Sequence, residues 1–299
     1  MLKIIREYTL PLAILLALIF HKAFASISWI APYVIFCILI LNFSAIRLKS
    51  LRMLPAHWKI MAFQLAFALG AYAFMRYITG ELTLAQGMLI GILCPVAASS
   101  SVVVGKLGGD MESAGAYTVA DNLMVTAAAP LIFSFLGNAE HSSFLQSFLM
   151  ILAKISPTLA LPFFIMLALQ SFAPRLNDKI KRFSGLSFYL WAFVLLPTLG
   201  KTFDFIFLHG QGREYIIVSL AALSLFTCTV LFSVGQDIGA KYGLKISGGQ
   251  MSGQKNSTLG IWMASIWLSP LSSVFLAFYS VWQNLFNSFE LWEKDRGKI

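Results

Sequence analysis

Residues 248–260 read GGQMSGQKNSTLG, a stretch rich in glycine and amide side chains that carries one lysine, Lys255. Apolar segments lie on both sides of it. The composition makes this lysine unusual, because 58% of the 299 residues are hydrophobic, 12% are charged and the mean hydropathy is +0.78. A soluble domain of this length does not need so much apolar surface. The composition therefore predicts a membrane protein, and the stretch raises the question of why a charge lies within it.

Apolar runs recur along the whole chain. A helix that crosses the hydrocarbon core needs roughly 20 mostly apolar residues, so the runs predict an all-α polytopic membrane protein with ten transmembrane helices. The predicted spans are 9–25, 28–45, 60–77, 84–105, 112–136, 146–172, 184–203, 214–235, 246–267 and 269–289. The first run resembles a secretory signal, but His21 and Lys22 interrupt the approach to its cleavage motif. We therefore assign it to the first span.

The distribution of lysine and arginine predicts the orientation, since short cytoplasmic loops are enriched in these residues. With the N-terminus inside, 16 of the 22 lie on the cytoplasmic side. The four on the outer side are Lys22, Arg76, Lys201 and Arg213, and the two left unplaced are Lys154 and Lys255. This split predicts a plasma (inner) membrane protein with cytoplasmic N- and C-termini. The net charge of +9 favours the lipid bilayer as a partner, and it does not indicate nucleic acid.

Lys255 lies near the middle of the ninth predicted span. A central lysine costs roughly 2.5–3.5 kcal/mol on insertion scales, so it is expected to face a cavity or an acidic partner. Asp121 is the acidic residue well inside a predicted span, and it shares a helix face with Thr118 and Asn122. The two opposite charges suggest a pair. Two interpretations stay open, because the pair either acts in transport or only locks two helices together.

Glycine, proline and polar residues predict interruptions in two spans. In the ninth span, Gly249 and Gly253 flank polar residues and are candidate hinges. In the fourth, CPVAASSSVVVGKLGG (94–109), Pro95 removes a backbone donor. Each interrupted span is the fourth in its half of the chain, 1–143 or 144–299, which is typical of an inverted-repeat (5+5) secondary transporter. The alternative is that these small residues only allow close helix packing.

These two stretches resemble the corresponding segments of the bile acid:sodium symporter family, whose members move bile acids and other organic anions. The segment 94–101 is similar to the family's C-P-G-G-x-A-S-N-like break, and 253–257 is similar to its G-x-Q-N-S-like break. The resemblance implies that spans four and nine cross as broken helices. It also implies a core of spans three to five and eight to ten, beside a panel of spans one, two, six and seven.

The resemblance further implies roles for individual residues. Three side chains that the family uses to bind sodium are retained: Gln64, Ser100 and Thr118. Three others differ, because Ser101, Ala114 and Met251 stand where the family has an asparagine, a serine and an acidic residue. Lys255 itself occupies the position of a sodium-binding glutamine. Since like charges repel at contact distance, we hypothesise that the Lys255 ammonium replaces a sodium ion, held by Asp121, Gln64 and freed backbone carbonyls.

The sequence thus predicts a secondary active transporter or facilitator of a small organic anion that works by alternating access, independent of sodium or coupled to protons. The alternatives are an ordinary sodium-coupled symporter that uses the site at Ser100 and Thr118, and a non-transporting membrane sensor. An enzyme is not expected, and neither is a cofactor other than a coupling sodium ion or proton. The predicted cation and substrate site comprises Gln64, Ser100, Ser101, Thr118, Asp121, Asn122, Gln254, Lys255, Asn256 and Ser257.

Overall fold

The computed structural model of the chain describes residues 2–48, 51–97, 99–136 and 143–296, and only the backbone of residues 2–10, His209 and Asp295. Lys49 and Lys298, two of the predicted cytoplasmic charges, lie outside the described residues, as does most of the predicted junction between the two halves. Within the described ranges the chain is helical and contains no β-strand.

Fourteen α-helices follow one another in these ranges. They are α1 Leu2–Ile19, α2 His21–Ser26, α3 Ala31–Ala45, α4 Pro55–Thr79, α5 Leu82–Leu93, α6 Ser100–Leu107, α7 Met111–Leu136, α8 Phe144–Phe172, α9 Pro174–Lys181, α10 Leu186–His209, α11 Glu214–Ala240, α12 Lys245–Gly253, α13 Ser257–Trp267 and α14 Ser273–Asp295. Short 3-10 turns, Ser28–Ile30 and Pro270–Ser272, precede α3 and α14.

Six helices of the described chain are long and apolar enough to cross a membrane. They are Ser28–Ala45, Pro55–Thr79, Met111–Leu136, Phe144–Phe172, Leu186–Leu208 and Glu214–Ala240. Each coincides with a predicted span, and large apolar side chains such as Phe74, Val218 and Phe226 are exposed on their outer faces. The protein is therefore an all-α, multi-pass membrane protein, as its composition predicts. The other four predicted spans coincide with α14 and with pairs of shorter helices: α1 and α2, α5 and α6, α12 and α13.

The fourth and ninth predicted spans are each divided into two helices. In the fourth, α5 ends at Leu93 and α6 begins at Ser100, so Pro95 lies within the break. In the ninth, α12 ends at Gly253 and α13 begins at Ser257. The prediction that Gly249 is a hinge is wrong, because Gly249 lies inside regular helix α12. A Cβ atom at this position would be 2.7 Å from the Gln236 side chain, so the glycine permits close packing.

Helices α11 and α12 pack backbone against backbone. A Cβ atom on Gly248 would lie 2.3 Å from the carbonyl oxygen of Gly235, and one on Gly235 would lie 2.4 Å from that of Gly248. A Cβ atom on Gly239 would likewise lie 2.3 Å from the carbonyl oxygen of Leu244. Small residues at this spacing are the usual means by which membrane helices approach one another. The packing makes α11 and the first half of the broken ninth span one close unit.

Candidate functional site

The two helix breaks meet in the interior of the protein. Val96 and Lys255 form an antiparallel β-bridge. The Ala97 amide donates to the Gln254 carbonyl at 2.8 Å, and the Asn256 amide donates to the Pro95 carbonyl at 2.8 Å. A break at membrane depth leaves backbone groups without helical partners, which is tolerated only where they are buried in protein or line a wet cavity. Here each break supplies partners to the other.

Side chains from neighbouring helices complete the hydrogen bonding of the breaks. Asp121, on α7, accepts a hydrogen bond from the Val96 amide at 2.6 Å through Oδ2. Gln283, on α14, accepts from the Lys255 amide at 2.8 Å and donates to the Lys255 carbonyl at 3.2 Å. Gln283 is absent from the predicted site. One sequence feature could have identified it: Ser280, Gln283 and Asn287 are polar residues at helical spacing in the last predicted span.

The Lys255 side chain is buried, with 1% of its surface exposed, and its Nζ has no hydrogen-bond partner among the described residues. Asp121 is also fully buried, and its Oδ1 has no such partner either. The two side chains do not form an ion pair within 4.0 Å, although their charges act on one another at longer range. The contact pair suggested by the sequence is thus not formed, and Asp121 instead bonds to the Val96 amide through one oxygen.

Unpartnered polar atoms are concentrated around the breaks. In the described part of the chain, the buried side-chain atoms of this region without a partner are Ser100 Oγ, Asp121 Oδ1, Asn122 Oδ1, Ser252 Oγ, Gln254 Oε1, Lys255 Nζ and Ser257 Oγ. Buried polar groups are nearly always hydrogen-bonded, and each one left without a partner costs about 1–3 kcal/mol. Such a concentration is typical of a site that takes an ion or a ligand. Six of these seven residues belong to the predicted site.

Other residues of the predicted site bond to the backbone around them. Gln64 donates to the Leu93 carbonyl at 3.2 Å and accepts from the Tyr117 hydroxyl at 3.0 Å, so it holds the end of α5 and is not a hydrogen-bond partner of Lys255 Nζ. Thr118 donates to the Ala114 carbonyl at 2.8 Å. Asn256 caps α13, since its Oδ1 accepts from the Leu259 amide at 3.3 Å.

A cavity of about 1190 Å³ leads to the breaks. Polar side chains that line it include Ser101, Gln254 and Asn256 from the broken spans and Gln283 and Asn287 from α14. Apolar side chains from α3 and α10 also line it. Its other charged lining residues are the basic Arg47, Arg52, Lys106 and Lys181 and the acidic Asp110 and Glu112. The four basic residues are predicted to face the cytoplasm. The cavity is therefore amphipathic, and basic residues outnumber acidic ones among its charged lining residues.

His57 and Ser113 form a buried contact near this cavity, with 2.8 Å between Nε2 and Oγ. His57 Nδ1 accepts a hydrogen bond from the Leu54 amide at 3.2 Å. Nε2 therefore carries the proton of the neutral ring and donates to the hydroxyl. A histidine in this state cannot take the serine proton, so the contact positions the start of α4 rather than activating a nucleophile.

No family model and no curated protein matches the chain. The resemblance to the bile acid:sodium symporter family accordingly rests on the residues at 94–101 and 253–257 and on their spacing.

Proposed function

We propose that the protein is a secondary transporter or facilitator that moves a small organic anion by alternating access, with the Lys255 ammonium in the place of a bound cation. The observation that carries the proposal is the buried, unpartnered Lys255 Nζ at the pairing of two helix breaks. Ionisable side chains at such depth are rare, and they mark substrate or ion pathways. Broken helices near the membrane midplane form the binding sites of many secondary transporters.

The neighbours of each helix support a 5+5 inverted repeat of ten spans. Exchange of the halves relates α3 to α10, α4 to α11, α5 to α12, α6 to α13 and α7 to α14. α4 packs on α5 as α11 packs on α12, and α6 packs on α7 as α13 packs on α14. α3 packs on α8 just as α10 packs on α1 and α2. These matched contacts favour a core of spans three to five and eight to ten beside a panel of spans one, two, six and seven.

The charges around the breaks favour an anion as substrate. α6 begins at Ser100 and α13 begins at Ser257, so both helices start at the breaks. Helix N-termini carry partial positive charge and favour negative groups. Lys255 adds a positive charge at the same place, and the other basic residues that line the cavity outnumber its two acidic ones, which favours a local excess of anions. The apolar lining residues from α3 and α10 accommodate the hydrocarbon part of such a substrate.

Sodium independence follows from the charge of Lys255. A sodium ion needs several converging oxygen atoms, and an ammonium group at the same position repels it. One observation favours the alternative of a sodium-coupled symporter that uses Ser100 and Thr118: Ser100 Oγ is buried and has no partner in the described chain. A non-transporting membrane sensor is the third candidate, because a binding cavity alone does not require flux.

Uptake into proteoliposomes tests the proposal. Purified protein is reconstituted, and uptake of radiolabelled lactate, succinate, benzoate and taurocholate is measured with sodium replaced by potassium at constant pH. We expect uptake of at least one of these anions at equal rates in the two salts. Strict dependence on sodium would sink the replacement of the cation by Lys255 and would favour the symporter. Binding without uptake for all four probes would favour the sensor.

A further inference from the structure

A second buried charge lies outside the predicted site, at Glu290 on α14. Its side chain is 8% exposed. Oε1 accepts a hydrogen bond from Gln236 Nε2 of α11 at 2.8 Å, and Oε2 accepts one from Gln250 Nε2 of α12 at 2.7 Å. Gln250 Nε2 also donates to Asn287 Oδ1 at 2.8 Å. The described residues provide Glu290 with no lysine, arginine or histidine within 4.0 Å.

An ionised carboxylate in this position is only partly compensated. Burial of a charge without an opposite charge is costly, and two neutral amide donors offset a part of that cost. A metal cation is not favoured, because it needs several oxygen ligands at once, and here both oxygens of the single carboxylate already accept from amide Nε2 groups. A proton removes the charge without any further ligand.

The cluster also holds an acceptor for that proton. Gln250 is fully buried, and its Oε1 has no partner among the described residues. A half-turn of the Gln250 amide exchanges Nε2 and Oε1, two atoms that occupy nearly the same volume. Oε1 then accepts from the protonated Glu290 carboxyl. If the Asn287 amide turns as well, its Nδ2 donates to the second lone pair of Oε1. Glu290 therefore has a hydrogen-bond partner in each protonation state, and in either state the Gln250 amide atom that points away from Glu290 has no partner in the described chain.

We propose that Glu290, Gln250 and Asn287 form a proton-binding site, in which uptake of a proton by Glu290 is matched by rotation of the two amides. The proton reaches the site through the cavity, because Asn287 lines it. Proton binding replaces the charge-assisted bond between Gln250 and Glu290 by a weaker neutral one. The state of Glu290 thus sets how tightly α12 is held to α14.

This link connects the proton site to the helix breaks. Gln250 lies on α12, the helix that ends where the ninth-span break begins. Gln283, on the same helix as Glu290, holds the backbone of Lys255. A change in the bond between α12 and α14 therefore acts on both sides of the break. The coupling of this site to transport rests on the proposed function, whereas proton binding itself does not.

Six other ionisable groups lie on the helices around the site, and their own titration contributes to any signal measured on the whole protein. They are Glu293 and Lys294 of α14, Asp237 of α11, Lys241 at the end of α11, Lys245 of α12 and Lys106 of α6. Lys294 is engaged with the Lys106 carbonyl. None of the six forms an ion pair with Glu290 in the described chain.

Infrared difference spectroscopy tests the site without any transported substrate. Purified protein in vesicles of phosphatidylcholine is titrated with acid, and the carbonyl-stretch band of protonated carboxylic acids is followed. We expect a titrating band that is lost in Glu290→Gln and retained in Glu293→Gln, the matched control one turn nearer the end of α14. The same band in Glu290→Gln as in the unsubstituted protein would overturn the proposal.

A second variant distinguishes loss of the carboxyl group from loss of the fold. Glu290→Asp keeps a carboxyl group, and we expect a shifted acid band in protein that elutes as a single species on size exclusion. A folded Glu290→Asp protein without any acid band at this position would also overturn the proposal. The two proposals fail separately, since a chain that binds the proton but takes up no anion contradicts transport alone. A chain that transports but lacks the band contradicts the proton site alone.

Discussion

Lys255 is held in place by its backbone and not by its side chain. Gln283 bonds to its amide and carbonyl groups, whereas Nζ has no partner among the described residues. The position of the break therefore does not require a lysine side chain. Stability and function make opposite demands at this residue, because an unpaired buried charge destabilises the protein. A side chain that costs stability without supporting the fold is consistent with the proposed role of Lys255 in transport.

The substitution Lys255→Gln tests the effect of the lysine on stability and on transport separately. Removal of a buried charge is expected to stabilise the protein by up to roughly 2.5–3.5 kcal/mol, seen as a higher Tm in detergent. We expect anion uptake to be lost or to become dependent on sodium, because the glutamine oxygen can ligate an ion that the ammonium repels.

Lys154→Gln is the matched control, since Lys154 is an exposed lysine within α8. It should change neither Tm nor uptake. If Lys255→Gln leaves uptake unchanged in both salts, the lysine has no part in transport.

Gln283 is the second residue on which the break depends. Gln283→Leu leaves the buried Lys255 amide without its partner, which costs about 1–3 kcal/mol, whereas the Lys255 carbonyl keeps the Ser257 amide as a donor at 2.9 Å. We expect a marked fall in Tm, measured by intrinsic fluorescence on heating in detergent. Gln146→Leu, on an exposed face of α8, should have little effect. Equal Tm values for the two variants would show that Gln283 does not support the break.

The sequence identifies Lys255 and Asp121 because charges in apolar spans are conspicuous. It does not identify Gln283 or Glu290, since one amide or acid among several polar residues of a helix does not stand out. Nor does it show that Asp121 bonds to the Val96 amide. That contact depends on where the fourth span breaks in three dimensions, and residue type and spacing do not fix this position.

At the scale of elements, α11 and α12 behave as one packed unit, because Gly235, Gly239 and Gly248 let their backbones touch. The sequence predicts two interrupted spans from glycine, proline and polar residues, and both interruptions are present. It places a hinge at Gly249, which instead lies within α12. A glycine in a membrane helix serves either as a break or as a close contact, and only the neighbouring helix decides between them.

Gly248→Ala tests this packing. The new methyl group would meet the Gly235 carbonyl, which is backbone and cannot rotate away, so we expect a loss of about 1–3 kcal/mol and a lower Tm. Gly70→Ala is the control within α4, because a Cβ atom there meets nothing within 4 Å. It should leave Tm unchanged or raise it slightly. A Gly248→Ala protein as stable as Gly70→Ala would contradict the close contact of α11 and α12.

At the scale of the whole molecule, the cavity and the charge distribution favour one orientation. The basic residues that line the cavity away from the breaks are all predicted to be cytoplasmic. The cavity therefore opens toward the cytoplasm in the proposed topology. The sequence predicts this orientation from the loops alone, whereas the cavity itself requires the packing of helices that are distant along the chain.

Labelling of single cysteines with a membrane-impermeant maleimide checks the orientation. The background is Cys37→Ser, because Cys37 is exposed while Cys94 and Cys228 are buried. In intact cells we expect Arg213→Cys to react, and Lys241→Cys and the cavity position Asn284→Cys to react only after the membrane is permeabilised. The reverse pattern would invert the proposed topology. Reaction of Asn284→Cys from the outside alone would contradict a cavity open to the cytoplasm.

The pairing of the two breaks also constrains how the protein is made. Cys94 bonds to the Asn256 carbonyl across a separation of 162 residues, and the Pro95 carbonyl and the Ala97 amide find their partners in the same late segment. During synthesis the first half enters the bilayer before those partners have left the ribosome. Its break must then remain hydrated or be shielded by the insertion machinery, since lipid offers no hydrogen bonds. We therefore expect a chain that stops before α12 to be degraded rather than to accumulate as a stable half-protein.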